Sequence, residues 1–533
     1  MTLSVDLLLE GGTIVDGTGA PGFMGSVGVV GERLRLWPGG APTDLHAARR
    51  IDVTGHVVAP GFIDLHSHGS LVILAEPRHE PKVRQGVTTE LIGVDGNSYA
   101  PFPRRGDLDD FLVLNAGLDG HPDIDYDWST THQYLARYDR QVAVNIAYVA
   151  GNTPLRIAAV GWQDAPADAR AIADQRAMLR ESMEEGAFGL STGLDYPPGS
   201  YASTAELGEL AAEAARLGGI YHTHVRYPLG DGFLDPFREA IEIGRRGGIA
   251  VHLTHFYHRS TFPGTPEQML ALVDDARSEG RDVTFDLYPD EWASTRLLIM
   301  LPTWLQDGGL DRLRERLADR GVRDRIRTEM RARGRMFAGE RGLHAVRLGY
   351  FSRPEHAAWE GRTLGELVDE TGADPVDAVC DLLLAEDLRV NQVTPGPNRA
   401  GTLRFLQHPV AMVGTDGVLI GDKPAPRSYG SFPRILGEFV REERAISLES
   451  AVQRMTGMAA DRLGLRERGR LVDGLAADIV VFDPATVRSL ATYDAPRRYP
   501  AGIPYVLVNG TPVIDGGEHT GATPGRALRR GAA

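Results

Sequence analysis

The chain has 533 residues, 42% of them hydrophobic and 24% charged, with a formal net charge of −15. That balance excludes a disordered or fibrous protein, and the negative charge argues against a nucleic-acid partner, whose phosphates are met by clustered positive charge. A single cysteine, Cys380, excludes internal disulfides and multi-cysteine metal sites; with no run of 18 apolar residues and no basic-then-apolar leader, a cytoplasmic protein without a membrane partner is expected.

In chain order, Leu7–Asp16 and Gly25–Leu36 alternate around glycine-rich turns, as short antiparallel strands do. Residues 1–58 are therefore read as one part of a small β-sandwich. Eight apolar, β-rich runs follow: Val57–Leu65, Val87–Val94, Val142–Val149, Ala187–Leu190, Gly219–Val225, Ile249–Thr254, Asp282–Leu287 and Val410–Thr415. Helical patterns at Ala205–Leu217, Leu234–Gly244 and Thr265–Glu279 lie between some of them. Strands alternating with helices imply a parallel sheet, and eight such units imply an α/β fold of the (β/α)8 TIM-like barrel type over 59–420. The competing doubly wound sheet lacks its Gly-rich dinucleotide fingerprint after the first strand. About 120 residues separate the seventh and eighth runs, far more than a crossover needs. Within them Leu310–Arg335 carries Arg and Glu at helical spacing, so 296–350 reads as a solvated helical insertion placed as a lid. Residues 421–470 read as the closing helices. Gly474–Asp483 and Tyr505–Gly510 place 471–533 in the second part of the sandwich, beside the N-terminal strands.

The chemistry concentrates where the apolar runs end. His66 and His68 stand two apart after the first run, so on a strand both imidazoles face one side and reach one metal. Asp95 follows the second run, His224 ends the fifth, His255 the sixth and Asp416 the eighth. The mouth formed by C-terminal strand ends is where such barrels hold their active sites. Nitrogen and oxygen ligands with one position left open are the form of a catalytic zinc site. His222 is expected no nearer than behind the ligands, and His252, three residues before His255, on the opposite face. The chain has only two lysines, Lys82 and Lys423; neither ends an apolar run, so neither is a candidate for Schiff-base or carboxylated-lysine chemistry.

These residues resemble the amidohydrolase superfamily and, within it, the N-acyl-D-amino-acid deacylase (D-aminoacylase) family. The likeness covers nearly the whole chain. It runs through Gly-Phe-Ile-Asp-Leu-His66-Ser-His68, Gln85-Gly-Val-Thr-Thr, Gly189-Leu-Ser-Thr-Gly-Leu-Asp-Tyr196-Pro-Pro and His222-Thr-His224-Val-Arg226. It continues in Asp286-Leu-Tyr288-Pro, Gly414-Thr-Asp416-Gly and Pro426-Arg427-Ser-Tyr-Gly-Ser-Phe-Pro-Arg434, and fits the stretch from Met455 to Asn509. The resemblance implies zinc, one ion or two, with His66 and His68 at one site, His224 and His255 at the other, and Asp416 beside them as general acid/base. It implies a pocket lined by Tyr196, Tyr288, Ser294 and Arg427, with the Arg427 fork gripping a substrate carboxylate.

Two departures stand out. Asp95, in Gly93-Val-Asp95-Gly-Asn-Ser98, replaces the family's cysteine ligand; as a harder anion it admits Mn, Co or Fe as well as Zn. Tyr257 replaces a lysine that helps to hold the substrate carboxylate, and Arg226 is the candidate to compensate. The expected partner is a small amide substrate, and the oligomeric state stays open between one chain and a homo-oligomer. The expected reaction releases a D-amino acid from an N-acyl-D-amino acid. Hydrolysis of a cyclic amide, hydantoinase- or lactamase-like, is the alternative within enzymes. An inactive barrel serving as an interaction protein is the alternative outside them, one that has no chemical need for His66, His68, His224, His255 and Asp416 together.

Overall fold

The computed structural model describes residues 4–227, 233–259, 263–332 and 339–531. Two parallel sheets form its α/β centre. One runs Phe62–Asp64, Val87–Ile92, Asn145–Tyr148; the other runs Ala150–Gly151, Gly189–Gly193, Ile220–His224, Ala250–Leu253, Val283–Leu287, Ala411–Val413. Two backbone bonds carry each sheet into the other: Leu65 N–H to Val413 O (3.3 Å) and Phe188 N–H to Tyr148 O (2.7 Å). Nearly all of these strand residues are buried, which is why they read as continuous apolar runs rather than alternating ones. The helices Thr204–Arg216, Asp235–Gly247 and Pro266–Ser278 lie between strands as the sequence pattern indicates. Ser203 and Thr265 start the first and last of these by accepting the N–H of Glu206 and Gln268.

The first apolar run is divided. Val57–Pro60 pairs with Ile479–Phe482 in the sheet of the chain ends, and only Phe62–Asp64 enters the parallel centre. Gly61 makes the crossing: a Cβ there would lie 2.2 Å from the Thr88 side chain. Strands from both ends share one nine-stranded sheet, with Ile479–Phe482 beside Val57–Pro60 and Ser4–Ile14 next in order. Its apolar residues, among them Leu9, Val27, Val58, Ile479 and Leu507, make a separate core.

The segment between the seventh and eighth parallel strands differs from the solvated helices expected at 296–350. Trp292–Arg296 and Arg347–Tyr350 both pair with Asn391–Pro395, so this substructure reaches well beyond residue 350. The helices Leu310–Ala318 and Arg320–Ala332 face most of their charges outward, Arg323 being buried against Asp377 and Asp381, and bury Leu310, Leu313, Leu317, Ile326 and Met330 in a core with Cys380. The last three residues of the expected helical stretch, 333–335, lie outside the described residues. Cys380 is wholly buried in Pro375–Ala385, and burial pushes its thiol up to about 11. Among the described residues no helix is long and apolar enough to cross a membrane.

Candidate metal centre

The loops after the parallel strands converge at one end. Asp416 donates its backbone N–H to His66 O (2.9 Å) and His68 to Gly417 O (3.1 Å), so the first and eighth loops are stitched together. Three of the residues so held, Asp95, His255 and Asp416, have φ of 55°, 34° and 48°. Left-handed backbone at a non-glycine residue costs of order 1–3 kcal/mol and persists only where the surroundings impose it. For Asp95 one such constraint is Gly193, where a Cβ would lie 1.9 Å from the Asp95 carbonyl oxygen.

Asp95 stands at the middle of the cluster. Its Oδ1 is 3.5 Å from His66 Nε2, and its Oδ2 is 3.7 Å from His68 Nε2, 3.5 Å from His224 Nδ1 and 3.9 Å from His255 Nε2. His224 Nδ1 and His255 Nε2 are themselves 2.9 Å apart. Asp416 Oδ1 lies 3.3 Å from His68 Nε2 and 3.6 Å from His66 Nε2. All six residues are buried.

The electrostatics follow from that crowding. Burial opposes charge on His224, but Asp95 and Asp195 outweigh it and push the imidazole up to about 10. Burial is likewise overcome at His68, which Asp119 and its neighbours raise well above the ordinary range. Burial would raise Asp95 and Asp416; the histidines hold the first, and Arg427 with His66 the second, well below the usual carboxylate range. His255 is driven down by burial and by the neighbouring His224.

Several residues that sequence reasoning passed over hold these groups in place. His68 Nδ1–H donates to Asp119 Oδ1 (2.8 Å), and Asp119 is fixed in turn by Tyr99 Oη–H (2.8 Å) and Asn115 Nδ2–H (2.7 Å). His224 Nε2–H donates to Asp195 Oδ2 (3.1 Å), and Tyr227 Oη stands 3.4 Å from His255 Nδ1. Asp286 accepts the backbone N–H of His255 (2.6 Å) and faces His252 Nε2 (3.0 Å). Asp195 and Asp286 lie inside recognisable motifs, whereas Asp119 ends a helix with no local signal. A carboxylate behind a ligating histidine fixes its tautomer and orientation. Asp119→Asn is therefore expected to weaken zinc affinity about 10- to 100-fold, measured by chelator competition; unchanged affinity would remove Asp119 from that role.

His252 corrects an expectation. The strand ends at Leu253 and His255 lies beyond it at positive φ, so strand alternation does not relate the two residues. His252 consequently points inward, to Asp286 and Thr284, and stacks on His222. His222 itself bonds Leu65 O (3.0 Å) and is pushed by burial and by His252 down to about 3.

The residues fit a metal. Both ring nitrogens of His66 and Asp95 Oδ1 are buried without a hydrogen-bond partner among the described residues, so the fold holds polar atoms free for a metal. Among the described residues, four overlapping groups bring three ligand atoms within 4.8 Å of one another: His66–His68–Asp95, Asp95–His224–His255, His66–His255–Asp416 and His66–His222–Asp286. Imidazoles with carboxylates suit zinc.

Around this cluster, Arg427 Nη2 pairs with Asp416 Oδ2 (2.8 Å) and its guanidinium lies 4.1 Å over the Tyr288 ring. Tyr196 packs on His224 (5.1 Å between rings) and shares a hydrogen bond with Thr295. Ser294 donates its hydroxyl proton to Asn391 Oδ1 (3.0 Å). Tyr257 lies beside His255 and Tyr288, 6.0 and 5.8 Å between rings. Arg226 does not compensate for the missing lysine. Its guanidinium is taken up by Glu239 (3.0 Å), Ala202 O (2.8 Å) and Ser200 O.

With this geometry in hand, comparison with known proteins is informative. Residues 49–514 match the model of the amidohydrolase family. The chain is 36% identical over 539 residues to the N-acyl-D-glutamate deacylase of Alcaligenes xylosoxydans xylosoxydans, covering 100% of this chain and 98% of the relative. It is 34% identical to the D-aminoacylase of the same organism, over 99% of this chain and 98% of the relative. Among solved structures, N-acyl-D-glutamate deacylase from Bordetella bronchiseptica, complexed with zinc and a phosphonate that mimics the tetrahedral intermediate, superposes with a TM-score of 0.83. It is 33% identical, covering 99% of this chain and all of that one.

Proposed function

The chain belongs to the amidohydrolase family, within its N-acyl-D-amino-acid deacylases, and from that premise we propose that it hydrolyses N-acyl-D-amino acids to a carboxylate and a free D-amino acid. The observation that carries the reading is Asp95 between two histidine pairs, with Asp416 Oδ1 facing His66 and His68 from the neighbouring loop. His66 and His68 with Asp95 would hold one zinc, and His224 and His255 with Asp95 would hold a second, Asp95 standing where the family carries a thiolate. Zinc, when bound, brings the pKa of a coordinated water toward about 7 and polarises a carbonyl.

The remaining steps fall to the chain's own side chains. Arg427 engages Asp416 Oδ2 and leaves Oδ1 turned toward the histidines. From there Asp416 takes a proton from the attacking water and returns it to the leaving nitrogen as the C–N bond breaks. Tyr196, Tyr288, Tyr257 and Ser294 shape the substrate pocket. Arg427, already stacked on Tyr288 and paired with Asp416 and the Trp292 and Ser294 carbonyls, has its Nε–H without a partner among the described residues and turns it to the substrate carboxylate.

The same reading assigns the architecture. The two parallel sheets, joined at both seams, form an eight-stranded barrel over 59–420, with 421–470 closing it. Residues 1–58 and 471–533 form the accessory β-sandwich domain, whose nine-stranded sheet wraps its own core. The substructure after the seventh strand overlies the mouth, supported by Ser294 and Trp292, whose carbonyls accept from Arg427.

The test is amine release by zinc-loaded protein from matched N-acetyl-D- and N-acetyl-L-amino acids, with a hydantoin in the same panel. Turnover confined to the D series is expected. Turnover of the hydantoin alone would move the assignment to cyclic amides, and silence on all three with zinc bound would withdraw it.

A further inference from the structure

The loop that joins strands Ile479–Phe482 and Tyr505–Val508 of the nine-stranded sheet, residues 483–504, lies against the segment that carries Arg427. Gly430, in the helix Arg427–Arg434, permits that approach: a Cβ there would lie 2.0 Å from Ser489 Oγ. Tyr499 of the loop stacks on Tyr429 of the same helix, 6.0 Å between rings. Tyr493 reaches a second element. Its ring centre lies 4.2 Å from that of Trp292, which opens the strand Trp292–Arg296 whose carbonyls meet Arg427.

One guanidinium ties these parts together. Arg347 is buried, only 1% exposed, and lies 3.7 Å over the Tyr493 ring. Its Nη1 donates to the backbone carbonyl of Tyr493, and its Nη2 to those of Lys423 (3.2 Å) and Pro424 (3.0 Å). A guanidinium is a rigid, planar fork of donors, so the three carbonyls it holds keep fixed places relative to one another. Two of them belong to the residues that lead into Arg427, and the third belongs to Tyr493.

Arg427 is thereby set from both ends. Its backbone follows on the stretch that Arg347 clamps, and its Nη1 rests on Trp292 O (3.3 Å), the carbonyl of the residue stacked on Tyr493. Its Nη2 meets Ser294 O (3.3 Å) and Asp416 Oδ2 (2.8 Å). With both Nη groups engaged, the plane of the guanidinium is fixed, and the buried Nε–H, without a partner among the described residues, has one direction in which to meet a ligand. We propose that Tyr493, held by Arg347 and stacked on Trp292, is a positioning residue for Arg427, so that a loop of the nine-stranded sheet sets the grip on the substrate carboxylate. The proposal rests on the deacylase reading and adds to it a residue that acts only through another.

The experiment measures kcat, KM and zinc content of zinc-loaded native enzyme, Tyr493→Ala, Tyr493→Phe and Trp292→Leu, on whichever of N-acetyl-D-leucine and N-acetyl-D-glutamate the native enzyme turns over faster. Tyr493→Ala keeps the carbonyl that Arg347 holds and removes the ring, so KM is expected to rise about tenfold. Its kcat is expected to stay within about twofold of native, since the lost interaction serves binding, with zinc unchanged. Tyr493→Phe keeps the stack and is expected to restore the native KM; Trp292→Leu removes the opposite ring and is expected to raise KM as Tyr493→Ala does. In an Arg427→Lys background, Tyr493→Ala is expected to add less than about twofold, because nothing is left for the ring to position. A native KM in Tyr493→Ala would overturn the proposal. So would a loss of kcat at unchanged KM, or an undiminished effect of Tyr493→Ala in the Arg427→Lys background, each the mark of a merely structural role. Those outcomes leave the deacylase reading standing; no turnover of any N-acyl-D-amino acid by the native enzyme defeats that reading and this inference with it.

Discussion

Asp416→Asn is expected to lower kcat by about a thousandfold, within the range set by loss of a positioned general acid/base, while zinc stays at native stoichiometry. The substitution preserves shape and removes only the ability to take a proton. Asp416 sits at positive φ, anchored by its own N–H on His66 O, so the backbone has reason to stay where it is. Five other candidate ligands, His66, His68, Asp95, His224 and His255, are left untouched. The Arg427 contact requires an acceptor, so the amide oxygen turns to Arg427 and the NH2 faces His66 and His68. The measurement is kcat alongside metal content by mass spectrometry. A near-native kcat would remove Asp416 from the proton-transfer role. Loss of zinc together with activity would make it a ligand first and a base second.

How far the sequence carries depends on whether a residue's role is local. The candidate ligands were legible because each lies at or just past a strand end, and a strand end has a readable position: His66, His68, Asp95, His224, His255 and Asp416 come together where their apolar runs stop. What the pattern could not carry was direction after the strand ends. His255 lies past its strand at positive φ, so two-residue alternation misplaces His252 relative to it. Arg226, two residues after His224, lies where alternation no longer gives a direction: the strand has ended, and Glu239 of the next helix captures it. The division of the first run at Gly61 was hidden because both halves are buried, one in each sheet, leaving no change in polarity to mark the boundary. Asp119 escaped because its partner is 51 positions away and nothing in its own helix distinguishes it from a terminal acid. Tyr493 escaped because its partner Arg347 is 146 positions away and its own loop belongs to no strand or helix that would give it a direction.

The two lysines separate a buried role from a half-buried one. Both were set aside for covalent chemistry, and the structure explains what Lys82 does instead. It is fully buried, with Nζ on Asp64 Oδ2 (2.5 Å) and Thr415 Oγ1 (2.6 Å) and 3.4 Å from Glu90. Asp64 Oδ1 in turn accepts the backbone N–H groups of His66 (3.1 Å) and Thr415 (2.8 Å), the residues that set the first and eighth loops. Glu90 accepts from Ser67 and pairs with His79. Burial works against its charge, but His79 and Lys82 hold it ionised, down at about 2. One ammonium thus pairs with two buried carboxylates, Asp64 and Glu90, the second of which it shares with His79. Lys82→Met removes it, leaving the buried Asp64 without a cation and Glu90 with His79 alone, which costs about 3–5 kcal/mol, far more than Lys423→Met, where a contact to Asp494 O is lost at about 0.5 kcal/mol or less. The expected result is a clearly lowered melting temperature for Lys82→Met against an unchanged one for Lys423→Met, with zinc affinity falling in the first alone. Adding Asp64→Asn to Lys82→Met should recover part of the stability, since the amide keeps an acceptor for the backbone groups and removes one stranded charge. Equal melting temperatures for the two single variants would show that Lys82 is not what holds the first and eighth loops over the metal centre.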